Sequence, residues 1–374
     1  MPRADSDISA VIPMHNEERC IAAKLLNLLE SAKLLREIIV VDDASTDSSP
    51  RIVEALASRH PLIRLVRNAR NRGANAAANE GARQARGTWL YMSSANDLVM
   101  PDYFDRAGAL LRRHPEAGAC CAFGAELDDA GHLVRRGGSP RQAARGDRFF
   151  RPEELRARHL RPFFWFAAPA IIFRMEAFLG EGGFDEKAES CADGLLLQIL
   201  ALKHGLCFVC DYAGLFRNNP SDRASYMKSC FLDRRRSGAM LRHIEEALRS
   251  PPRRDFIPEA AARAILSRIR YSVLCLRWDL AGVRLLARLG EVPGGRPLAR
   301  IARPVWAGLG LLVKTTLFLG LRPGDAWCVL AGRLRGRRAS ARRLRAMSDY
   351  WRLSVGRQGE KSRRTWSVDV ASPP

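Results

Sequence analysis

Four short polar segments in the first half of the chain contain residue types that can bind a charged ligand. They follow one another in the order Val11–Glu18, Ile38–Asp47, Asn71–Gly73 and Ala95–Asp97. The first two each begin as an apolar run and end abruptly in acidic, amide and hydroxyl residues. This pattern is typical of strands in an α/β sheet, whose carboxyl ends surround the ligand. The order of the four segments suggests a site for a nucleoside diphosphate and a metal ion.

Two adjacent acids stand at the end of the second segment. Asp42 and Asp43 directly follow the apolar run Ile38–Val41, so at least one carboxylate is expected at the open end of a buried strand. A carboxylate there can accept hydrogen bonds from a base edge or a ribose hydroxyl. The alternative is that acids in this segment only cap the next helix. We expect both, with one of residues 47–49 capping the helix and Asp42 or Asp43 binding the ligand.

The first and third segments can be interpreted in two ways each. Pro13 ends the first strand, and the Asn16-Glu17 pair after it either caps the next helix through Asn16 or takes part in the ligand site; taken alone, the segment favours capping. Arg72 and Gly73 lead into an Ala-rich helix, which places a cation and a flexible backbone near a helix N-terminus. That combination suits a pyrophosphate, although a solvated arginine in a turn would have the same sequence.

The fourth segment, Ser94–Asp97, is the candidate metal site. A divalent ion that bridges two phosphates prefers hard oxygen ligands, usually one or two carboxylates together with waters and the phosphates. Asp97 can supply one carboxylate, whereas Asn96 offers only a neutral amide oxygen. A turn stabilised by Asn and Asp side chains before Pro101 is the alternative.

A later acid, Asp193, stands at the start of a predicted helix. It follows the loop Gly182–Asp185 and the dipeptide Cys191-Ala192. An acid at a helix start is ordinarily a cap and a partner of the helix dipole. Its functional interpretation is a general base, which would have to reach an acceptor hydroxyl.

The elements that must position these residues alternate between strands and helices. This alternation predicts a doubly wound, mostly parallel sheet. The predicted strands are 8–13, 37–41, 62–66, 88–92, 117–124, 170–174 and 206–212, and the predicted helices between them are 17–36, 49–58, 74–86, 101–114 and 193–204.

The charge divides the chain into two parts. Residues 1–230 hold 31 Lys and Arg against 29 Asp and Glu, whereas residues 231–374 hold 30 against 11. A near-neutral domain over 1–225 followed by a basic, mainly helical region over 226–374 is therefore predicted. Such a region suits an anionic membrane surface. A helical appendage with a solvated arginine face is the alternative.

Composition and hydropathy indicate a cytoplasmic protein at the inner face of the membrane. The nine cysteines have no framework spacing, the first seven residues contain no apolar stretch, and reduced thiols are expected. Cys207 and Cys210 match a C-x-x-C pattern, but a buried strand explains them more simply than a zinc or redox site. The apolar run 305–319 is shorter than the roughly twenty residues of a membrane span, so we expect an interfacial or buried helix.

Taken together, these motifs resemble a family 2 glycosyltransferase of the GT-A fold. The matching stretches lie between residues 8 and 215 and include Val11–Glu18, Ile38–Ser48, Asn71–Gly81, Ala85–Pro101 and Gly180–Gly205. The resemblance implies inverting transfer of a sugar from a nucleotide-sugar donor to a glycan or lipid-linked acceptor in surface-polysaccharide synthesis. By position, it assigns donor binding to Pro13, Glu17, Asp42, Asp43, Arg72 and Asn96, a divalent cation (Mg²⁺ or Mn²⁺) to Asp97, and the catalytic base to Asp193.

The chain departs from the family pattern at three positions. Ser94 and Asn96 stand where the family most often has Asp, and Ala192 replaces the Glu before the base. A catalytically weak nucleotide-sugar-binding protein is therefore one alternative function. A nucleic-acid-binding protein that uses the basic region is a weaker alternative, because aromatics are not interleaved with its arginines and no nucleic-acid-binding motif is recognised. No nucleic acid is expected as a partner.

Overall fold

The computed structural model describes residues 7–128, 132–136, 144–159, 170–217, 226–270, 272–273 and 345–350. Ten strands in this part of the chain form one sheet. They are β1 (Ile8–Met14), β2 (Leu35–Asp42), β3 (Ile63–Arg67), β4 (Trp89–Met92), β5 (Leu98–Val99), β6 (Ala119–Leu127), β7 (Leu133–Arg136), β8 (Arg148–Phe150), β9 (Ile171–Arg174) and β10 (Leu206–Arg217).

Helices connect these strands and follow the last of them. They are α1 (Ile21–Leu29), α2 (Ser49–Ala57), α3 (Ala74–Gln84), α4 (Asp102–Arg113), α5 (Pro152–His159), α6 (Met175–Gly180), α7 (Ala192–His204), α8 (Tyr226–Leu232), α9 (Arg234–Leu248), α10 (Pro251–Arg254) and α11 (259–270). A 3₁₀ turn, Glu186–Cys191, leads directly into α7.

The sheet is mixed and mostly parallel, as predicted. Its strand order is β3-β2-β1-β4-β9-β6-β10-β5, with β7 beside β6 and β8 beside β10. Strands β1, β2, β3, β4, β6 and β10 run in one direction, and β5, β7, β8 and β9 run in the other. The carboxyl ends of the parallel strands therefore lie at one edge of the sheet, which we call the carboxyl edge.

The core lies on both faces of the sheet because successive strand side chains point to opposite faces. In β1, Val11 packs in one apolar cluster with Ala77 of α3, whereas Ile12 packs in the other with Leu25 of α1. All four side chains are inaccessible to solvent. The two-sided burial explains why the strands of the sequence are nearly continuous apolar runs.

Helix α3 approaches the sheet closely and also holds the second half of the domain. A Cβ atom at Gly81 would collide with Val11 and Val41, so only glycine permits this approach. On the same helix, the Asn79 side chain donates to the Phe184 carbonyl at 2.9 Å and accepts from the Phe184 N–H at 2.7 Å. Helix α3 therefore fixes the position of the loop before α7.

The first predicted helix is wrong at both ends. The sequence favoured 17–36, but α1 spans only Ile21–Leu29 and β2 already begins at Leu35. At its N-terminus, Asn16 has a φ of 57°, which is outside the helical region. At its C-terminus, a turn in which Leu34 N–H donates to the Ser31 carbonyl at 2.9 Å reverses the chain.

The other predicted strands and helices agree with the structure to within a few residues. The strands β5, β7 and β8 and the helices α5 and α6 were not predicted. Each of these strands has four residues or fewer, too few to show a periodicity. The Cys207–Cys210 segment lies in β10, as the simpler interpretation required. The apolar run 305–319 and most of the basic region lie outside the described residues, and the boundary at 225 remains a prediction.

A segment near the end of the chain contacts the first helix. The Tyr350 hydroxyl lies 2.7 Å from the Asn27 side-chain nitrogen and 2.8 Å from a carboxylate oxygen of Glu30. Asn27 also brackets the backbone of Val99, accepting from its N–H and donating to its carbonyl. Residues 345–350 therefore belong to the folded unit. Among the described residues, no helix has the length and apolarity that crossing a membrane requires.

Candidate active site

The loops after β1 and β2 are joined by hydrogen bonds at the carboxyl edge. Asn16 accepts from the Thr46 N–H at 2.8 Å, and its own N–H donates to the Ser45 hydroxyl at 2.9 Å. The Glu17 N–H donates to the Ser49 hydroxyl at 2.8 Å. The expectation that Asn16 caps α1 is therefore wrong, because its side chain bonds to the neighbouring loop. The two loops form one rigid platform.

Asp47 accepts hydrogen bonds at the start of α2, as the sequence analysis expected of one of residues 47–49. Its carboxylate accepts from the Ser49 N–H at 2.9 Å and from the Glu18 N–H at 3.1 Å. These hydrogen bonds, foremost those from Ser49, hold the pKa of Asp47 below its ordinary value despite some burial. The Asp47 carboxylate is therefore engaged at the start of α2.

Asp42 and Asp43 are both buried at the carboxyl edge, but they have different partners. Asp42 accepts from the Ser45 N–H at 3.1 Å and pairs with Arg67 across 3.7 Å. The Asp43 carboxylate accepts from the backbone N–H groups of Arg72 and Gly73, at distances from 2.7 to 3.0 Å, and from the Asn68 side chain at 2.9 Å. Asp43 thus shapes the loop that presents the exposed Arg72 side chain just before α3.

The segment Ser94–Asp97 forms a compact turn between β4 and β5. The Ser94 hydroxyl lies 2.8 Å from the Asn96 side-chain oxygen and 2.7 Å from a carboxylate oxygen of Asp97. Three oxygen-bearing side chains therefore meet at the carboxyl edge beside β1. Asp97 is partly accessible to solvent, as a ligand of a diphosphate-bound cation must be.

A buried cation that the sequence analysis did not single out lies beneath this turn. The Lys24 side chain of α1 is fully buried, and its ammonium donates to the Ser93 hydroxyl at 2.8 Å. Burial lowers the pKa of Lys24 to about 7, and the nearby negative charge of Asp97 opposes that shift. The sequence does contain a signal for the burial of Lys24. Lys24 lies three residues after Ile21 and four before Leu28, which places it on the apolar face of the helix.

Asp193 lies in the first turn of α7, and its side chain is half-buried. One carboxylate oxygen accepts from the Gly194 N–H at 2.6 Å. Burial raises the pKa of Asp193 above its ordinary value, and the hydrogen bonds from the backbone oppose the shift. A carboxylate with a raised pKa is a stronger base than an exposed one, which suits the role that the resemblance implies.

The first turn of α3 contacts both Asp43 and the segment before Asp193. Gly73 donates to Asp43, and two residues later the Asn75 side chain donates to the Glu189 carbonyl at 2.9 Å. Because α3 and α7 each precede a strand of the parallel set, both helices begin at the carboxyl edge. The loops and helix starts that carry the predicted residues therefore lie at one edge of the sheet, and α3 contacts both halves.

The remaining predicted residues also lie on this platform. Pro13 pairs in register with Val41 near the end of β1, and Glu17 is half-buried in the loop after it. A cavity among the described residues lies elsewhere. It has a volume of about 220 Å³, lies between α7 and the loop Glu181–Asp185, and includes none of the predicted site residues.

The residues of the turn fit a divalent cation only with help from a ligand. Within the described ranges, no three His, Cys, Asp or Glu side chains cluster to hold an ion alone. The Ser94–Asp97 turn offers one carboxylate and two neutral oxygens, all hard donors. Mg²⁺ is commonly bound by one or two carboxylates together with substrate phosphates, so this donor set fits a cation that arrives with a diphosphate.

Comparisons with known proteins agree with this geometry. Residues 9–178 match the family model "Glycosyl transferase family 2". The succinoglycan biosynthesis protein ExoO of Rhizobium meliloti is 34% identical over 113 residues, which are 30% of this chain and 31% of that protein. The uncharacterized glycosyltransferase EpsJ of Bacillus subtilis is 29% identical over 174 residues, or 46% and 48% of the two chains. The chain thus spans about a third of the length of ExoO and about half of the length of EpsJ.

The fold of this chain is also similar to that of a solved structure with low sequence identity. The structure of S. aureus TarS 1-349, solved in complex with UDP-GlcNAc, superposes on this chain with a TM-score of 0.54 at 17% sequence identity. The superposition covers 95% of this chain and 92% of the TarS chain. The sheet therefore has the GT-A fold. Residues 9–178 are therefore similar to glycosyl transferase family 2.

Proposed function

We propose that this protein transfers a sugar, with inversion, from a nucleotide-sugar donor to a glycan or lipid-linked acceptor in cell-surface polysaccharide synthesis. The observation that supports the proposal is that the first turn of α3 contacts both Asp43, through Gly73, and the carbonyl of Glu189 in the turn before Asp193. The Asp97 turn follows β4 at the same edge of the sheet. The match of residues 9–178 to the glycosyl transferase family 2 model supports glycosyl transfer as the reaction. The relative ExoO, named for succinoglycan biosynthesis, supports a polysaccharide product.

In the proposed reaction, Asp193 takes the proton from the acceptor hydroxyl as that oxygen attacks the anomeric carbon. The bond between this carbon and the diphosphate breaks, so negative charge develops on the leaving group. Arg72, presented by the loop that Asp43 holds, stabilises that charge together with the N-terminus of α3. A divalent cation held by Asp97, with Asn96 and Ser94 beside it, would neutralise further charge on the diphosphate.

The role of Asp193 as the catalytic base is tested by replacing Asp193 with Asn. The amide keeps the size and the hydrogen bond from Gly194 but cannot accept the acceptor's proton. We expect transfer to fall by at least a hundredfold while the dissociation constant of the donor stays within about twofold. Activity is measured as nucleotide diphosphate release, and donor binding by calorimetry. An equal loss of binding and transfer would remove Asp193 from the base role.

The donor is found with a thermal-shift panel of nucleotide sugars, each with and without Mn²⁺. A ligand that binds only the folded protein raises its melting temperature by mass action. The panel also separates the main alternative, a nucleotide-sugar-binding protein with little activity. That alternative predicts a stabilising donor that is neither hydrolysed nor transferred with any cation.

A further inference from the structure

One backbone position beside the candidate base is strained. Glu189, in the 3₁₀ turn before α7, has φ 53° and ψ −133°. A residue with a Cβ atom rarely adopts this conformation, and it persists only where the surrounding structure holds it. Asp193 follows four residues later, so the strained position sets the direction in which the chain enters the helix that presents the base.

Three contacts hold Glu189 in place. The Arg236 guanidinium donates to its two carboxylate oxygens at 2.9 and 2.6 Å, and the Tyr226 hydroxyl donates to one of them at 2.6 Å. Asn75 of α3 donates to its backbone carbonyl. The forked contact is the strong, directional form of the arginine–carboxylate pair. It lowers the pKa of Glu189, so the pair stays charged at neutral pH. We call Glu189, Arg236 and Tyr226 the α9 clamp.

The clamp joins the helices after β10 to the candidate active site. Tyr226 begins α8 and Arg236 lies in the first turn of α9, both in the part of the chain that the charge pattern assigned to the basic region. The guanidinium also lies 5.3 Å from the centre of the Tyr226 ring, which helps to keep it in one orientation. These helices are therefore attached at the turn that leads into the base.

We propose that Glu189 and Arg236 are positioning residues for Asp193, so that the working site includes α8 and α9 as well as the domain before them. The inference rests on the proposed function, in which Asp193 is the base. Arg236 acts through Glu189 and not on the substrate. Without its fork, the strained turn relaxes and the first turn of α7 loses its fixed direction. A displacement of about 1 Å at a reacting group can reduce a rate a hundredfold.

The chain offers a matched control at the other end of α9. Arg249 has the same side-chain exposure as Arg236, 38%, and it is also held by carboxylates, those of Glu245 and Glu259. No contact described for Arg249 reaches the turn before α7. An Arg249→Ala variant therefore removes an equivalent ion pair from the same helix without touching the clamp.

The experiment compares Arg236→Ala, Arg236→Lys and Arg249→Ala in the full chain. Hydrogen exchange of the amides of residues 187–196 reports the turn directly and does not depend on activity. We expect exchange to rise at least tenfold in Arg236→Ala, to a lesser degree in Arg236→Lys, and not at all in Arg249→Ala. Unchanged exchange in Arg236→Ala would overturn the proposal.

Kinetics then separate this proposal from the assignment of the base. With an active donor, Arg236→Ala should lower kcat by about tenfold to a hundredfold with donor affinity kept, and Arg236→Lys should restore part of it. Faster exchange with unchanged kcat would refute the positioning role while leaving the transferase assignment intact. Failure of the wild type to turn over any donor would refute the assignment, while the exchange data still decide whether the clamp holds the turn.

Discussion

Lys24 is a buried ammonium beneath the candidate cation-binding turn, and its position makes the stability of the protein depend on pH. Its pKa is about 7 in the folded protein and 10.5 in an unperturbed lysine. Between these values the unfolded chain binds a proton that the folded chain has released. Stability therefore rises with pH across this window, by up to about 1.4 kcal/mol per pH unit from this residue alone.

A Lys24→Met variant should lack this contribution. Urea unfolding of both proteins at pH 7, 8 and 9 measures the difference, because other titrating groups affect both alike. We expect the wild type to gain stability relative to the variant as the pH rises. Lys33→Met is the control, since the Lys33 side chain is 65% exposed and should show no such trend. A constant difference between wild type and Lys24→Met would mean that Lys24 does not titrate in this range.

At the scale of single residues, the sequence located the acids of the site but not their partners. Asp42 and Asp43 could be placed at a strand end because an apolar run precedes them. The bonding of Asp43 to the N–H groups of Arg72 and Gly73 could not be predicted, because those groups lie about thirty residues later. Lys24 was not singled out because a charged residue on an apolar helix face contradicts the apolar pattern that identified the helix.

Helix α7 presents the candidate base at its start, and in its middle it contains a buried amide, Gln198, for which the described residues supply no partner. Gln198 is fully buried, and neither polar atom of its side chain has a hydrogen-bond partner among the described residues. A buried amide without partners costs about 1–3 kcal/mol. Methionine has nearly the same volume and no such requirement, so Gln198→Met should stabilise the protein by a similar amount.

Chemical unfolding of Gln198→Met beside Gln84→Met measures this effect. Gln84 is a suitable control because its side chain bonds to Arg64 at 2.7 Å and to Glu80 at 3.0 Å, so its replacement should destabilise. A loss of stability in Gln198→Met would show that the amide has a partner in the working protein.

At the scale of elements, periodicity predicted most of the sheet because buried parallel strands are continuous apolar runs. It was wrong where backbone geometry decides the outcome. The left-handed conformation of Asn16 and the turn at Ser31 shorten α1, and neither has a periodic signal. The 3₁₀ turn with Glu189 was not predicted either, because contacts from α3, α8 and α9 stabilise it.

At the scale of the whole molecule, the positive charge is concentrated toward the end of the chain. Residues 231–270 hold 10 Lys and Arg against 5 Asp and Glu, whereas residues 271–374 hold 20 against 6. Several arginines of the first group are already paired, among them Arg236, Arg249, Arg253 and Arg270. Any attraction to an anionic surface should therefore come mainly from residues beyond 270.

This distribution predicts binding to anionic vesicles that depends on residues 274–374. The full chain should sediment with vesicles containing phosphatidylserine but not with neutral ones, and 0.5 M salt should release it, since screening weakens contacts worth about 1 kcal/mol per basic residue. A chain ending at residue 273 should stay in the supernatant. That truncation also removes the Tyr350 contacts with Asn27 and Glu30, so Tyr350→Phe in the full chain serves as the control and should still sediment. Sedimentation of the shortened chain would instead place the attraction on α8–α11, where the arginines that are paired in this structure would have to exchange their carboxylate partners for lipid phosphates.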